Sequence, residues 1–145
     1  MAEPFAPEGK GRESLLAVLK IEQERSGYVS EEFIARTAQS LGLTAGEVFG
    51  VATFYHFVST RPLGRNIIRV CKSIPCHLKR SDIVIEALRQ ELGITPGETT
   101  ADGRFTLQLV NCIGACDQAP AMLLNGELHG NLSPSKLGRI LNRCR

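Results

Sequence analysis

Apolar residues in the first third of the chain recur at helical spacing. Positions three and four residues apart predict three short amphipathic helices, one at about 11–25, one after Ser30 and one after Thr44. Ser30 and Thr44 are typical N-caps, and Glu47 completes the pattern of a capping box with Thr44. Gly27 and Gly42 are predicted to end the first two helices. The three apolar stripes consist of Leu15, Leu16, Val18 and Leu19; Ile34, Thr37, Ala38 and Leu41; and Val48, Val51, Ala52 and Tyr55.

The pattern changes after residue 64, where strand-like runs alternate with helical ones. The predicted elements are a buried strand at 66–71, a helix at 81–92, an alternating strand from Phe105 to Leu109, a hairpin of 121–124 with 127–129, and a final helix that begins at Ser133 and Pro134. Asn125-Gly126 predicts a type I′ turn in the hairpin. The apolar face of the 81–92 helix is predicted to consist of Ile83, Val84, Ala87 and Leu88. This order, β-α-β-β-α, predicts an α/β sandwich.

Charge and cysteine content divide the chain at the same place. Residues 1–63 carry 6 basic and 8 acidic groups, net −2, whereas residues 64–145 carry 11 and 7, net +4, and all five cysteines. Arg61-Pro62-Leu63-Gly64 interrupts the helical pattern between them. We therefore predict two domains, a helical bundle at 1–63 and a cysteine-bearing α/β domain at 64–145.

Composition then excludes several classes of function. The chain has 145 residues, 43% of them hydrophobic, and a formal net charge of +2, which is too small to indicate nucleic-acid binding. No apolar run is long enough for a membrane span, and the N-terminus has no signal-peptide pattern, so a cytoplasmic protein is expected. No nucleotide-binding or hydrolase motif is present, so no complete active site is expected on this chain. Cysteines in a reducing compartment are more typical of metal ligands than of disulfides.

Four of the five cysteines form two pairs. Cys71 and Cys76 make a C-x4-C pair, and Cys112 and Cys116 make a C-x3-C pair 36 residues later. Each pair begins where a predicted strand ends, and such ends lie side by side in an α/β sheet. Four thiolates form a soft site for a 2Fe–2S cluster or for zinc. These intervals favour the cluster, because structural zinc usually takes tighter C-x2-C hooks; zinc and free or oxidised thiols remain alternatives.

The remaining polar candidates have less defined roles. Cys144 completes the apolar stripe of the last helix, so we expect it in the core rather than at the site. His77 follows Cys76 directly, but four cysteines already complete the ligand count. Lys72, Lys79 and Arg80 flank the first pair, where they either raise the potential of a bound cluster or form an ordinary solvated basic face.

Together these residues resemble a known family, the thioredoxin-like 2Fe–2S ferredoxin subunit of the NADH-oxidising module of respiratory complex I. Similar subunits occur in NAD(P)-linked hydrogenases, including electron-bifurcating ones, and in formate dehydrogenases and transhydrogenases. The resemblance covers about residues 11–145. Its motifs are Val51-Ala-Thr-Phe-Tyr-His-Phe57, Pro62-x-Gly64, Cys71-x4-Cys76-His77, Gly97-Glu-Thr-Thr-x-Asp102-Gly-Arg-Phe-Thr-Leu107, Cys112-Ile-Gly-Ala-Cys116 and Ala119-Pro120-x-Met122.

The resemblance implies a three-helix bundle followed by a thioredoxin-like domain. It implies that Cys71, Cys76, Cys112 and Cys116 hold one 2Fe–2S cluster, which exchanges single electrons with the flavin of a partner subunit. That partner would carry FMN, NAD(P) and a 4Fe–4S cluster, beside further iron–sulfur subunits. The chain would thus be an electron-transfer subunit of a multisubunit oxidoreductase, with no direct membrane insertion.

The kind of parent complex stays open. The chain ends soon after its last helix, which favours a soluble hydrogenase- or transhydrogenase-type complex, electron-bifurcating forms included, over complex I. A zinc-stapled binding module without redox activity and a free-standing ferredoxin are further alternatives. The family often has glycine three or four residues after the second cysteine, where this chain has Lys79 and Arg80. This departure bears on the local charge and on the start of the next helix.

Overall fold

The computed structural model describes residues 11–144. It separates into two compact units, Met1–Pro62 and Leu63–Arg145, which are described here one at a time. The two-domain assignment stays a prediction, because compactness does not test whether either unit folds alone. The N-terminal stretch used to exclude a signal peptide lies largely outside the described residues.

Three helices form the first unit. They are α1 (Leu15–Ser26), α2 (Glu31–Leu41) and α3 (Ala45–Phe54), with a short 3-10 turn at Arg12–Ser14 before α1. α1 and α2 end at glycines in the left-handed region, Gly27 at φ 78° and Gly42 at φ 66°, as the stop signals predict. The side chain of Ser30 accepts a hydrogen bond from the amide of Phe33 at 3.2 Å, which caps α2.

The capping box that begins α3 is also confirmed. The Glu47 amide donates to Thr44 Oγ1 at 3.2 Å, and the Thr44 amide donates to Glu47 Oε2 at 2.9 Å. The predicted stripes supply most of the unit's apolar core, and their partly exposed members Leu41, Val51 and Tyr55 pack against it. Leu16 and Val18 are also partly exposed and are not among the residues of this core. The buried residues of this core are Leu15, Leu19, Val29, Ile34, Ala38, Val48, Ala52 and Val58.

The second unit mixes four strands with three helices. In chain order they are β1 (Asn66–Cys71), α4 (Ile74–Leu78), α5 (Ser81–Leu92), β2 (Phe105–Val110), β3 (Met122–Leu124), β4 (Glu127–His129) and α6 (Pro134–Asn142), with a 3-10 turn at Cys116–Gln118. The predicted bounds of β1 and α5 match the observed ones. The predicted order lacked α4, whereas the hairpin predicted at 121–124 and 127–129 is observed as the antiparallel pair β3 and β4.

The four strands form one sheet in the order β2-β1-β3-β4. β1 runs parallel to β2, and β3 is antiparallel to both β1 and β4. The hairpin turn has Asn125 at φ 52° and Gly126 at φ 87°, the two positive values that a type I′ turn requires. The α/β fold class is confirmed.

The main apolar core of this unit lies between the sheet and the helices α5 and α6. Its buried members are Ile68, Val70, Val84, Leu88, Phe105, Leu107, Met122, Leu124, Leu132, Leu137, Ile140 and Leu141. Cys144 packs against this core, as predicted from its stripe. Ile83 is 40% exposed and does not pack against this core. The buried face of α5 is therefore narrower than the sequence predicts. None of the helices in the described part of the chain is long and apolar enough to cross a bilayer.

Candidate metal centre

The two cysteine pairs lie on neighbouring segments at one end of the sheet. β1 ends at Cys71, which pairs with Val110, the last residue of the parallel strand β2. Because the carboxyl ends of parallel strands adjoin, the chain that leaves β1 and the chain that leaves β2 start side by side. We call residues 71–80 the first cysteine segment and residues 111–121 the second cysteine segment. The prediction that both pairs follow adjacent strand ends is confirmed.

The first cysteine segment buries its thiols. Cys71 and Cys76 are each only 1% exposed, and they pack with Ala119 and Ile113 of the second segment. Cys76 lies on the short helix α4, which the sequence prediction missed although Ser73 and Pro75 are typical of a helix start. The amide of Cys71 donates to the carbonyl of Ala121 at 3.2 Å, which ties the two segments together.

The second cysteine segment exposes its thiols. Cys112 and Cys116 are both exposed, and their sulfur atoms lie 3.9 Å apart. Between them Gly114 adopts φ 77°, and its amide donates to Cys112 Sγ at 3.3 Å. An amide aimed at a ligand sulfur is typical of iron–sulfur sites, so this contact agrees with the role expected for Gly114.

Hydrogen bonds around Cys71 favour its thiolate. Burial by itself raises the pKa of the Cys71 thiol, but the contacts around it lower that pKa below its usual value. The contributing groups are the hydroxyl and amide of Ser73, the thiol of Cys76 and the amide of Ile113. A pKa lowered by donors that surround the sulfur indicates a position prepared for a thiolate ligand.

The pKa values of the Cys76 and Cys116 thiols are raised above their usual range. Burial and the neighbouring Cys71 raise the pKa of Cys76, with a smaller contribution from Cys116. Cys112, and then Cys71, raise the pKa of Cys116. Repulsion of this kind requires several thiolates in one neighbourhood, and a bound cation or cluster would relieve it.

The donor set fits a soft metal group better than a hard one. The thiols form two pairs, and backbone amides point at their sulfurs. Within residues 11–144, no group of three or more Cys, His, Asp or Glu side chains is arranged to hold a metal ion. Two pairs suit two irons, each of which takes two thiolates when four cysteines hold a 2Fe–2S cluster. The assignment of all four cysteines as ligands stays a prediction.

The first segment also carries exposed charged and apolar side chains. His77, Lys72 and Lys79 are exposed. Ile74 and Leu78, on either side of Cys76, are each 75% exposed. Nothing in the sequence predicts this exposure, because both residues would suit a core.

Arg80 has an unusual backbone conformation. It lies in the left-handed region, with φ 67° and ψ 41°, immediately before α5. In the described chain the other non-glycine residues with positive φ are Asn125 and Asn131, and asparagine tolerates this region better than arginine. The position thus favours glycine, which is a physical reason for the glycine that the resemblance leads one to expect near this place, and Arg80 adopts the conformation at a cost.

Comparison with protein families gives one extended match. The model of the family described as thioredoxin-like [2Fe-2S] ferredoxin matches residues 3–145. Among curated proteins, the chain is 42% identical to an NADH-quinone oxidoreductase subunit of Pseudomonas aeruginosa over 130 residues, 90% of this chain and 78% of that protein. It is 40% identical to the protein of the same name from Escherichia coli K12 over 134 residues, 92% of this chain and 81% of that protein.

Solved structures give a second kind of similarity. The fold resembles part of an NAD+-reducing [NiFe]-hydrogenase in the air-oxidised state, with a TM-score of 0.77 and 30% identity over 90% of this chain. The H2-reduced state gives a TM-score of 0.79 at 28% identity over 94% of this chain. This chain spans only 22% and 23% of those hydrogenase chains. The similarity therefore concerns a part of a larger redox protein.

Proposed function

We propose that this chain, which belongs to the thioredoxin-like [2Fe-2S] ferredoxin family, is an electron-transfer subunit that holds one 2Fe–2S cluster. In this proposal Cys71, Cys76, Cys112 and Cys116 are the ligands. The cluster exchanges single electrons with the flavin of a partner subunit, which also binds NAD(P) and carries a 4Fe–4S cluster. The working site is cytoplasmic, and further iron–sulfur subunits of the same complex pass the electrons on.

The observation that carries this proposal is the meeting of two thiol pairs at adjacent strand ends. The parallel register of β1 and β2 brings Cys71 beside the start of the second cysteine segment. Amide donors then reach the sulfurs from the second segment, from Gly114 to Cys112 and from Ile113 to Cys71. A site that merely packed cysteines as small apolar residues would not need donors directed at sulfur.

The residues of this chain would act by holding and insulating the cofactor. When bound, a 2Fe–2S cluster accepts and returns one electron at a time. Cys71 and Cys76 hold it from the buried side, where little water reaches their sulfurs. Cys112 and Cys116 hold it from the exposed side, where a partner protein has access. Amides that donate to sulfur stabilise the added negative charge and so adjust the potential.

Iron content and electron paramagnetic resonance test the cluster directly. The full chain, reconstituted with iron and sulfide, should bind two irons and two sulfides and give a rhombic signal after reduction with dithionite. Protein isolated from native cells should also contain iron. One zinc per chain in a colourless native protein would instead support the zinc-stapled binding module.

Two parent complexes are supported by separate observations. Identities of 40–42% over most of the length of the NADH-quinone oxidoreductase relatives favour a complex of that kind. The hydrogenase similarity, with TM-scores of 0.77–0.79, favours the soluble hydrogenase or transhydrogenase type, of which electron-bifurcating complexes are one form. Identity and coverage are greater for the NADH-quinone oxidoreductase relatives than for the hydrogenases, and this difference favours the quinone-reducing complex.

Isolation of the native assembly separates these possibilities. An affinity-tagged chain should copurify with a flavin-containing subunit, and mass spectrometry should identify its companions. Quinone reduction by NADH in the isolated complex supports the first parent, whereas hydrogen-dependent NAD(P) reduction supports the second. A chain that is recovered alone, but holds its cluster, would indicate a free-standing ferredoxin.

A further inference from the structure

Ser73 occupies a helix-capping position without capping the helix. Three other helices of the chain begin at a serine or threonine that accepts a hydrogen bond from the amide three residues later, at 3.2 Å for Ser30, 3.2 Å for Thr44 and 3.3 Å for Ser133. Ser73 is the N-cap residue of α4 and has the extended backbone of a cap, with φ −66° and ψ 161°. Its side chain nevertheless makes no capping hydrogen bond.

The hydroxyl of Ser73 is directed at sulfur instead. Ser73 Oγ lies 2.9 Å from Cys71 Sγ, within a half-buried environment. A thiolate that binds iron has no proton, so in that state the hydroxyl must be the donor. Because Cys71 is only 1% exposed, water does not replace this hydrogen bond easily. The contact is thus placed to act on the electronic state of one ligand.

We propose that Ser73 raises the reduction potential of the 2Fe–2S cluster by donating its O–H to Cys71 Sγ, an inference that rests on the proposed function. Reduction adds one electron to the cluster, and the thiolate sulfurs share the added negative charge. A hydrogen bond to a sulfur strengthens as the charge on that sulfur grows, so it stabilises the reduced form more than the oxidised form. No proton is transferred in this step, and the electron comes from the external reductant or the partner flavin.

The proposed effect is specific to the first cysteine segment. In the second segment, the hydrogen bond found at Cys112 comes from the amide of Gly114, at 3.3 Å. Within residues 11–144, Ser73 is the residue whose hydroxyl lies at hydrogen-bond distance from a cysteine sulfur. A side-chain donor is open to substitution without a change of backbone, so the role of Ser73 is separable from that of the amides.

A matched pair of substitutions isolates the hydroxyl. Ser73→Thr keeps a hydroxyl, whereas Ser73→Val has nearly the same shape as threonine without one, and both side chains suit the extended backbone at this position. Ser73→Ala provides a second hydroxyl-free variant. Ser133→Ala serves as the control, because it removes a genuine helix cap in the same unit and leaves Cys71 untouched.

The measurement is a potentiometric titration of the reconstituted full-length chains, followed by electron paramagnetic resonance. We expect the Val and Ala variants to lower the equilibrium constant of reduction about tenfold, which corresponds to about 59 mV for one electron. Ser73→Thr and Ser133→Ala should keep the wild-type potential. Iron content and circular dichroism confirm that each chain is loaded and folded.

The alternative outcomes are distinguishable. Loaded Val and Ala variants with the wild-type potential would overturn the role of Ser73 and leave the proposed function intact. Folded Val and Ala variants that take up no cluster would also overturn a tuning role, because the hydroxyl would then be a requirement of assembly. A wild-type chain that fails to form a 2Fe–2S cluster would overturn the proposed function and this inference with it.

Discussion

The two cysteine segments carry the same thiols in opposite surroundings. In the first, Cys71 and Cys76 are each only 1% exposed. Cys71 is the last residue of strand β1, and Cys76 lies on helix α4. In the second, both thiols are exposed, Cys112 on the loop before Gly114 and Cys116 at the start of a 3-10 turn. A cluster held between them would be shielded on one side and accessible on the other. This asymmetry is what an electron carrier needs, because potential depends on shielding and transfer depends on close approach.

The asymmetry extends to charge and backbone. The first segment contains Lys72, Lys79 and Arg80, whereas Asp117 follows Cys116 in the second. Each segment also contains one left-handed residue, Arg80 in the first and Gly114 in the second. The left-handed conformation is therefore strained at Arg80 in the first segment. At Gly114 in the second segment it costs little, because glycine has no Cβ atom. The following predictions test how far the difference between the segments extends.

Replacing one ligand has the largest expected effect. Each single change of Cys71, Cys76, Cys112 or Cys116 to serine should lower the iron retained per chain about tenfold or more, because a harder oxygen replaces a thiolate. Cys144→Ser is the matched control, since Cys144 packs against the core beyond α6 and is not expected to bind iron. Iron analysis after reconstitution measures the effect. Full loading of any of the four ligand variants would contradict the ligand set.

Alkylation of the cluster-free chain measures the exposure of the two pairs. Iodoacetamide should modify Cys112 and Cys116 at least about tenfold faster than Cys71 and Cys76, because buried thiols react only after local opening. Peptide mass spectrometry at successive times gives each rate. In urea the four rates should converge, which controls for differences between the peptides. Equal rates under native conditions would show that both segments open together.

Packing behind the second segment depends on Gly130. A Cβ atom at this position would lie 2.5 Å from Gln118 Cβ, and the next residue, Asn131, donates its amide to the Gln118 carbonyl at 2.6 Å. Gly130→Ala should therefore lower the free energy of unfolding by about 1–3 kcal/mol. Gly138→Ala is the control, because no atom lies within 4 Å of its added Cβ and alanine favours helix α6, so it should be neutral or stabilising. Urea titrations of the chains measure both, and a Gly130→Ala chain as stable as the wild type would contradict this packing.

The two left-handed positions give the smallest expected effects, and these have opposite signs. Arg80→Gly should raise the free energy of unfolding by about 0.5–1 kcal/mol, since relief of left-handed strain exceeds the added entropy of the unfolded glycine. Gly114→Ala should lower it by about 1–2 kcal/mol at a position where φ is 77°. Urea denaturation of the cluster-free chains checks both. Destabilisation by Arg80→Gly would mean that the contact of Arg80 Nε with Asp82 Oδ1, at 3.4 Å, stabilises the chain by more than the strain costs.

Local signals in the sequence predicted most of the elements and little of their surroundings. The bounds of β1 and α5, the caps at Ser30 and Thr44, and the Asn125-Gly126 turn all depend on residues a few positions apart, so they were readable in advance. The short helix α4 was missed, because five residues show no full period of apolar spacing. The exposure of Ile83 was missed because a stripe does not tell how much of the helix the sheet covers.

For the candidate site, too, the sequence predicted some features and missed others. The spacing of four cysteines, each pair at a predicted strand end, indicated a soft thiolate site, and the family comparison agrees with a 2Fe–2S group. The spacing could not tell which pair is buried, since that depends on α4 and on Ala119 from the distant second segment. It also assigned Ser73 no role, because the same serine in a different fold would cap its helix.

The sequence by itself determined the local features of this protein: the helix caps, the tight turn, the apolar faces and the number and kind of candidate ligands. These depend on neighbours within one or two turns of the chain. Only the tertiary structure decided the sheet order, in which β3 pairs with β1 on the side opposite β2. It also decided that one thiol pair is buried and the other exposed. The physical reason is that burial and long-range hydrogen bonds join distant residues, such as Gly64 with Thr106 and Ile67 with Asn125, which are 42 and 58 positions apart. No local pattern encodes which of them meet.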